Sequence, residues 1–439
     1  MSTALLELAN AAATEPVAPV LHALRRQGAA EFARLGFPTT RNEDWLYTNV
    51  SDIANGVFSR DVGETSVQES ELTPFLFNNA AWPRVVIVNG QYSATLSSLS
   101  ELPDGVRVQT LHDAAREESE LLTKFLGTVV PASRDGFTAL NASSAGAGTV
   151  VHVAKEMVSD TPLHILHVTT ANANGVLAQP RHLIVVEPHA KATVIESFVS
   201  LGQPQSFTNS VTEVIVEDGA TLHHLRVQRE SHRAFHVGTV EARQGRDSHF
   251  ISFSLIAGSA LSRTNVYTVL KGEGCGTTLN GLYLLDGTQH GDTQTRVEHV
   301  APNCFSREVY KGLLDGESHG VFNGKVYVHP EAQKTDGKQT NQTLLLSDKA
   351  RIDTKPQLEI FADDVKCTHG ATVGRMDEMA LFYLKSRGVG ATLARQLLMY
   401  AFAADVLETI ENEAVRDELE RMTLARYTGA PEVSSSVDR

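Results

Sequence analysis

The chain has 439 residues, 42% of them hydrophobic, so it can form two or three domains and bury a large core without disulfides. Its 38 basic and 52 acidic residues give a net charge of −14, which argues against broad electrostatic binding of nucleic acid or of an anionic membrane. The three cysteines do not suggest a disulfide framework, and the sequence has neither a signal-peptide pattern nor eighteen consecutive apolar residues. We therefore expect a cytoplasmic protein that is not inserted in a membrane.

The N-terminal 35 or so residues have apolar positions at helical spacing, interrupted by Pro16 and Pro19. This pattern predicts a helical N-terminal region. Further along, residues 85–88 read as a strand, and Asn89-Gly90 directly after them is a strong hairpin signal.

Short strands follow one another from about Thr149 to Lys366, each bounded by Gly, Asp, Asn or Pro, with no convincing helix between them. Four times an aliphatic residue is followed four positions later by alanine: Val186 and Ala190, Val216 and Ala220, Val328 and Ala332, Leu346 and Ala350. A β-solenoid produces such a repeat, because each coil turns its corner with a small inward side chain. A β-sandwich or barrel gives a similar series of strands, and the recurrent alanine favours the solenoid slightly.

The period becomes helical after Asp377, which can cap a helix that ends at Gly388. A second helix is predicted to begin near Thr392, with Leu393 and Leu397 on its apolar stripe.

A third helix, roughly residues 413–427, is highly charged, and the tail after Gly429 has the composition of a disordered segment. The three helices could cap the open end of the β region or form a docking surface for another protein, and the two interpretations are compatible.

Cys367 and His369 lie two positions apart in a segment that reads as a strand end. Because alternate residues of a strand share a face, the thiol and the imidazole point to one side and Thr368 to the other. The pair could bind one metal ion or the edge of a cluster, but a complete site needs about four ligands, so the others must come from elsewhere, including another chain. The alternative is a buried free cysteine beside a hydrogen-bonded histidine.

Fifteen of the seventeen histidines fall between His152 and His369. The adjacent His223 and His224 face opposite sides of a strand and cannot readily share an ion, so we expect these histidines to serve mainly as polar packing on the outer faces of the sheets. The sequence contains no GxxxxGK[ST] motif and no GxSxG motif. We therefore expect a non-catalytic protein that does not hydrolyse ATP itself.

Residues 308–374, followed by LFYLKSRGV at 381–389, resemble the SufB/SufD family of the SUF iron–sulfur cluster assembly system. The segment GFPTTRNEDWLYT at 36–48 and the motif KCTHGAT at 366–372 are similar to the SufD branch of that family. The resemblance implies a right-handed parallel β-helix flanked by helical regions. The expected limits are 1–135 for an N-terminal helical region with a short β segment, 136–372 for the β-helix core and 373–439 for a C-terminal helical region with a disordered tail.

The resemblance also implies a function, that of a scaffold subunit in iron–sulfur cluster assembly. Family members of this branch pair with SufB through their β-helices, dock the SufC ATPase with their C-terminal helices, and can form a homodimer when isolated. Cys367 and His369 match the functional Cys and His of the family at the SufB interface, where they would hold a transient iron ion or iron–sulfur cluster. The resemblance also allows a flavin in the complex, for which this sequence carries no readable motif.

Two other interpretations are open. A β-helix enzyme that cleaves polysaccharides could use Asp353, Lys355 and Glu359 in a groove along the strands. Alternatively, the chain is a purely structural partner whose Cys367 and His369 bind no metal.

Overall fold

The computed structural model describes residues 3–60, 66–77 and 81–426, and its centre is a parallel β-helix. The helices are α1 (Thr3–Thr14), α2 (Pro19–Leu35), α3 (Ser51–Asn55), α4 (Glu69–Leu72), α5 (Leu111–Arg116), α6 (Glu120–Phe125), α7 (Gly136–Ser143), α8 (Glu378–Ser386), α9 (Ala391–Leu407) and α10 (Glu413–Arg426), with short 3₁₀ turns at Glu43–Trp45 and Thr73–Phe75. The predicted tail after Gly429 lies outside the described residues.

The strands before the regular coils are β1 (Arg84–Val88), β2 (Gln91–Tyr92), β3 (Val106–Thr110), β4 (Thr149–Val153), β5 (Leu163–Thr169), β6 (Val176–Ala178) and β7 (Arg181–Val186). The regular coils contain β8 (Lys191–Ser200), β9 (Ser206–Val216), β10 (Thr221–Arg229), β11 (Phe235–Gln244), β12 (His249–Ile256), β13 (Leu261–Leu270), β14 (Gly276–Leu285), β15 (His290–His299), β16 (Phe305–Leu314), β17 (His319–Val328), β18 (Asp336–Leu345), β19 (Arg351–Ile360) and β20 (Lys366–Arg375).

Consecutive strands of the coils belong alternately to two sheets. The first sheet has the order β2-β1-β5-β8-β10-β12-β14-β16-β18-β20, and the second has the order β19-β17-β15-β13-β11-β9-β7-β4-β3 with β6 beside β9. The pairings are parallel except β1 with β2 and β3 with β4. This arrangement is a β-helix and not a sandwich or barrel, as the resemblance implied.

Local signals in the sequence account for several of these elements. The four predicted corner alanines are all buried: Ala190, Ala220, Ala332 and Ala350. The Asn89-Gly90 signal is confirmed, since both residues have positive φ and join β1 to β2 as a hairpin.

Helical layers cover the outer faces of both sheets. Apolar residues of α1, α2 and α7 pack against the outer face of the second sheet, at residues such as Phe207 and Val237. Residues of α9 and α10, among them Met399 and Val406, pack against the first sheet at Leu282. The C-terminal helices therefore cover the side of the β-helix and do not cap its open end, because the outer face of β10 to β16 is itself apolar. Within the described residues, none of the helices has the length and apolar character needed to cross a bilayer.

Candidate functional site

Cys367 and His369 lie on β20, the outermost strand of the first sheet. β20 is hydrogen-bonded to β18 on one side, and β19 is likewise the last strand of the second sheet, so the described residues leave both strands with an open edge. The apolar side chains of Ile360, Phe361 and Val373 are exposed at this end. An exposed strand edge with apolar side chains is a surface at which another chain can add strands.

The two side chains share one face, as predicted. Cys367 is in register with Gly337, and His369 with Gln339. Gly337 and Gln339 are buried and face the interior of the β-helix, so the pair on β20 continues the inward-facing positions into the last, uncovered coil. Thr368 points to the outer side and is in register with Lys338.

Cys367 is half-buried against an apolar cluster that includes Val326 and Leu358. A Cβ atom on Gly337 would lie 3.4 Å from Cys367 Sγ, which is an ordinary van der Waals distance, so the thiol lies directly beside this glycine. Burial raises the pKa of the thiol above its ordinary value; the backbone of Gly337 opposes this in part, and the charge of Asp336 adds to it. The resting side chain is therefore a neutral thiol, and binding a cation would favour its loss of the proton.

His369 is exposed, and within the described part of the chain its ring has no hydrogen-bond or ion-pair partner. The positions aligned below it are polar. Gln339 Nε2 donates to Glu308 Oε1 at 3.2 Å, and Thr295 Oγ1 donates to Glu308 Oε2 at 2.6 Å. Burial raises the pKa of Glu308 to about 7, against which the two hydrogen bonds act.

A second polar line lies beneath the thiol. Ser306 is in register with Gly337, and Ser306 Oγ is 3.0 Å from His299 Nε2. Burial lowers the pKa of His299 to about 4, so this ring is neutral at pH 7. The sequence analysis did not identify Glu308, Gln339 or His299 as interior residues. The sequence signal that could have done so is that each lies two positions from another inward-facing residue of its strand.

Cys367 and His369 do not form a complete metal site by themselves. Among the described residues, no third His, Cys, Asp or Glu side chain offers a ligand atom close to both. Structural sites for zinc or iron–sulfur clusters usually have four protein ligands. A metal bound at the two side chains would therefore need ligands from outside this chain.

The residues considered for a polysaccharide-cleaving site lie on the outer face of β19. All three have separate partners: Asp353 Oδ2 lies 2.7 Å from His319 Nε2, Lys355 forms an ion pair with Glu43 at 2.6 Å, and Glu359 forms one with Lys325 at 2.9 Å. Their charged groups are thus bound to three different neighbours and are not directed at a common point.

The C-terminal helices present a second candidate surface. No residue of α8 is buried, and its large apolar side chains are exposed, with Met379 75% and Phe382 67% accessible. On α9, Leu393 and Leu397 are also exposed, because that helix buries another side, including Ala403, against the β-helix. The predicted stripe of α9 therefore lies partly on the surface. Exposed apolar side chains gathered on adjacent helices are typical of an interaction site.

The chain matches two family models over most of its length. Residues 167–402 match the model described as "SUF system FeS cluster assembly, SufBD core domain", and residues 3–165 match the model described as "SufBD protein N-terminal region". Together the two matches span the β-helix and its N-terminal layer.

Relatives of similar length are found in several bacteria. The chain is 34% identical over 402 residues to the iron-sulfur cluster assembly protein SufD of Escherichia coli, covering 90% of each chain. It is 33% identical over 411 residues to an iron-sulfur cluster assembly SufBD family protein of Synechocystis, covering 92% of this chain and 90% of the relative. With the SufD protein of Bacillus subtilis the identity is 31% over 336 residues, or 75% and 76% of the two chains.

Proposed function

The chain belongs to the SufBD family of the SUF iron–sulfur cluster assembly system, and from this premise we propose that it is a scaffold subunit of a SufBCD-type complex. The observation that carries the proposal is the pairing of Cys367 with His369 on the uncovered last coil. In the proposal the chain works in the cytoplasm, as its three free cysteines suggest, and leaves ATP hydrolysis to a SufC-type partner.

The open edges of β19 and β20 support a SufB-type β-helix as the partner at this end. A second β-helix would satisfy the exposed backbone groups and cover Phe361 and Val373. The same edges would join two copies of this chain when the partner is absent.

The cargo at this interface is a transient iron ion or iron–sulfur cluster. Cys367 and His369 supply two ligands, and the SufB-type partner supplies the others. Few ligands per chain suit a site that must release its cargo, because separating the two chains removes part of the ligand set. The neutral resting thiol fits this cycle, since the sulfur becomes a strong ligand only when a cation arrives.

The exposed apolar side chains on α8 and α9 support docking of a SufC-type ATPase. Rearrangement of two ATPase subunits would move these helices, and α9 packs directly on the strands of the first sheet. Movement could thus reach the interface at β20 and change its opening.

The first experiment replaces Cys367 or His369 with Ala in the complex co-expressed with SufB-type and SufC-type partners. We expect iron and acid-labile sulfide per complex to fall several-fold while the three subunits still co-purify. Cys304→Ala, a buried thiol elsewhere in the β-helix, and His232→Ala, an exposed histidine, are the matched controls. An intact complex with unchanged iron and sulfide in both variants would show that the pair is inert and the chain a structural partner only.

The second experiment tests the docking surface by replacing Met379, Phe382 and Tyr383 together with Ser. Because none of the three is buried, we expect the melting temperature to be unchanged and binding of the SufC-type ATPase to be lost. Leu424→Ser, an exposed apolar residue of α10, is the control. Binding of the triple variant at unmodified affinity would rule out α8 as the docking helix.

A further inference from the structure

The interior of the β-helix contains a second cluster of metal-ligand side chains, far along the coils from β20. His167 on β5, His182 on β7 and Glu196 on β8 all face inward, as their strand neighbours in the apolar core show. All three are buried. One ligand atom of each lies within 4.8 Å of the corresponding atoms of the other two. The sequence analysis placed these histidines on the outer faces, and that expectation is wrong.

The two imidazoles have unused nitrogen atoms. His167 Nε2 and His182 Nε2 are both buried without a hydrogen-bond partner among the described residues. The ring centroids are 5.1 Å apart. A buried polar atom without a hydrogen-bond partner destabilises the fold, because it has lost its hydration without a replacement. A species between the rings would remove this cost for both at once.

The chemistry of the three side chains suits a cation. His167 and His182 are buried imidazoles, and Glu196 is a buried carboxylate beside them. Two neutral imidazoles and one carboxylate form a ligand set for zinc or iron(II).

A polar network surrounds the carboxylate of Glu196. Its Oε1 accepts from Thr212 Oγ1 at 2.7 Å and lies 3.0 Å from His224 Nε2, and its Oε2 accepts from Arg226 Nη1 at 3.2 Å. Arg226 Nη2 is in turn 2.6 Å from His236 Nε2, whose Nδ1 is 2.6 Å from Glu230 Oε2. The network holds the carboxylate in place beside the two imidazoles.

Thr149 holds the other ring nitrogen of His182. Its backbone N–H donates to His182 Nδ1 at 3.2 Å, and its Oγ1 lies 2.8 Å from the same atom. In the metal-free ring Nδ1 is therefore the acceptor, and the proton is on Nε2. A metal ion bound at Nε2 would displace that proton, and Thr149 Oγ1 would then accept a hydrogen bond from a protonated Nδ1. Ligand atoms around a tetrahedral zinc ion are ~3.4 Å apart, closer than the 4.8 Å limit within which the three groups lie, so binding an ion would draw them together.

We propose that His167, His182 and Glu196 bind one divalent transition-metal ion inside the β-helix, at a site separate from Cys367 and His369. The site is enclosed, so the ion is taken up as the coils fold and then stabilises them. This inference does not depend on the function proposed for β20.

The test uses the full chain carrying Cys367→Ala and His369→Ala, so that the end of the β-helix contributes no metal. The protein is produced with Zn²⁺ or Co²⁺ in the medium, passed through a chelating buffer, and analysed by mass spectrometry for metal. We expect about one ion per chain, and visible d–d bands of Co²⁺ bound to nitrogen and oxygen ligands. His182→Asn, which keeps a group near Nδ1 but removes Nε2, should lower the metal content at least tenfold.

His299→Asn is the matched control, since His299 is a buried inward-facing histidine outside the cluster, and it should keep the metal. If His182→Asn does not fold, Glu196→Gln and a second measurement decide. Refolding with Zn²⁺ should raise the melting temperature relative to refolding with chelator in the parent chain and in His299→Asn, and not in Glu196→Gln. Absence of metal from the parent chain, or equal metal in His182→Asn and His299→Asn, would overturn the proposal, as would a crystal structure with only water between the two rings.

Discussion

Glu308 gives the interior beneath His369 a measurable pH dependence. The side chain is buried, it lies in register with Gln339, and burial raises its pKa to about 7. At pH 6 the folded chain therefore holds a proton on Glu308 that the unfolded chain has lost. Gln339 Oε1 has no partner among the described residues, and exchanging the positions of its amide oxygen and nitrogen would let the oxygen accept a hydrogen bond from the protonated carboxyl. The informative substitution is Glu308→Gln, which keeps the shape and removes the titration.

The sign follows from the proton count. The pKa of this carboxyl is about 7 in the folded chain and 4.5 in the unfolded chain. The folded chain therefore binds the proton more tightly, and this contribution to stability is fully present below pH 4.5 and is lost as the pH rises through 7. The difference between 4.5 and about 7 corresponds to about 3 kcal/mol at full loss, of which about 2.5 kcal/mol falls between pH 5 and pH 8. The Glu308→Gln variant has no titrating group at this position, so its free energy of unfolding does not fall in this way over the same pH range.

The assay is urea unfolding of the unmodified chain and of Glu308→Gln at pH 5 and pH 8. We expect the variant to gain about 2.5 kcal/mol relative to the unmodified chain on going from pH 5 to pH 8, with unchanged m-values. Glu331→Gln, at an exposed carboxyl, should give a difference near zero. If the free-energy difference between Glu308→Gln and the unmodified chain is the same at both pH values, Glu308 does not carry the proton in the folded state and the reasoning fails.

Three further outcomes are expected. Titration of the native chain with a thiol reagent should modify Cys367 first and with a midpoint above that of a free cysteine, because its pKa is raised by burial, whereas Cys367→Ala should show no fast phase. Glu213→Ala should destabilise the chain by about 3–5 kcal/mol in urea unfolding, because it leaves the buried Arg181 guanidinium unpaired; a loss under 1 kcal/mol would contradict this. Asp377→Ala should cost α8 about 1 kcal/mol and speed amide exchange in its first turn, since the carboxylate accepts from two backbone N–H groups there; unchanged exchange would show that the cap is unimportant.

Local physical chemistry explains which features could be predicted. Asp377 caps α8 and Gly388 ends it with positive φ, both as expected from residue type. The alternation of side chains along a strand places Cys367 and His369 on one face in any sheet. These predictions succeed because they depend only on neighbours within a few residues.

Which face of a strand points into the β-helix cannot be predicted from near neighbours in this way, as the histidines show. His223 and His224 do point to opposite sides: His223 lies outside near Glu411, and His224 lies inside, 3.0 Å from Glu196 Oε1. Because the two residues are adjacent in the sequence, they are predicted to face opposite sides of the strand. The sequence does not predict which of them faces the interior. Hydrophobicity alone would place both outside, which is why the inward position of His182 was missed.

The pattern of residues along the chain was sufficient for the strands, the corner alanines, the hairpin and the shared face of Cys367 and His369, since each depends on short-range geometry. Only the tertiary structure decided which polar side chains line the interior and which helix faces stay uncovered. The physical reason is that a buried Glu196 or Glu308 is tolerated only when hydrogen-bond partners arrive from the opposite sheet or from a neighbouring coil. Those partners are set by the register of the coils, and this register cannot be inferred from any single stretch of the sequence.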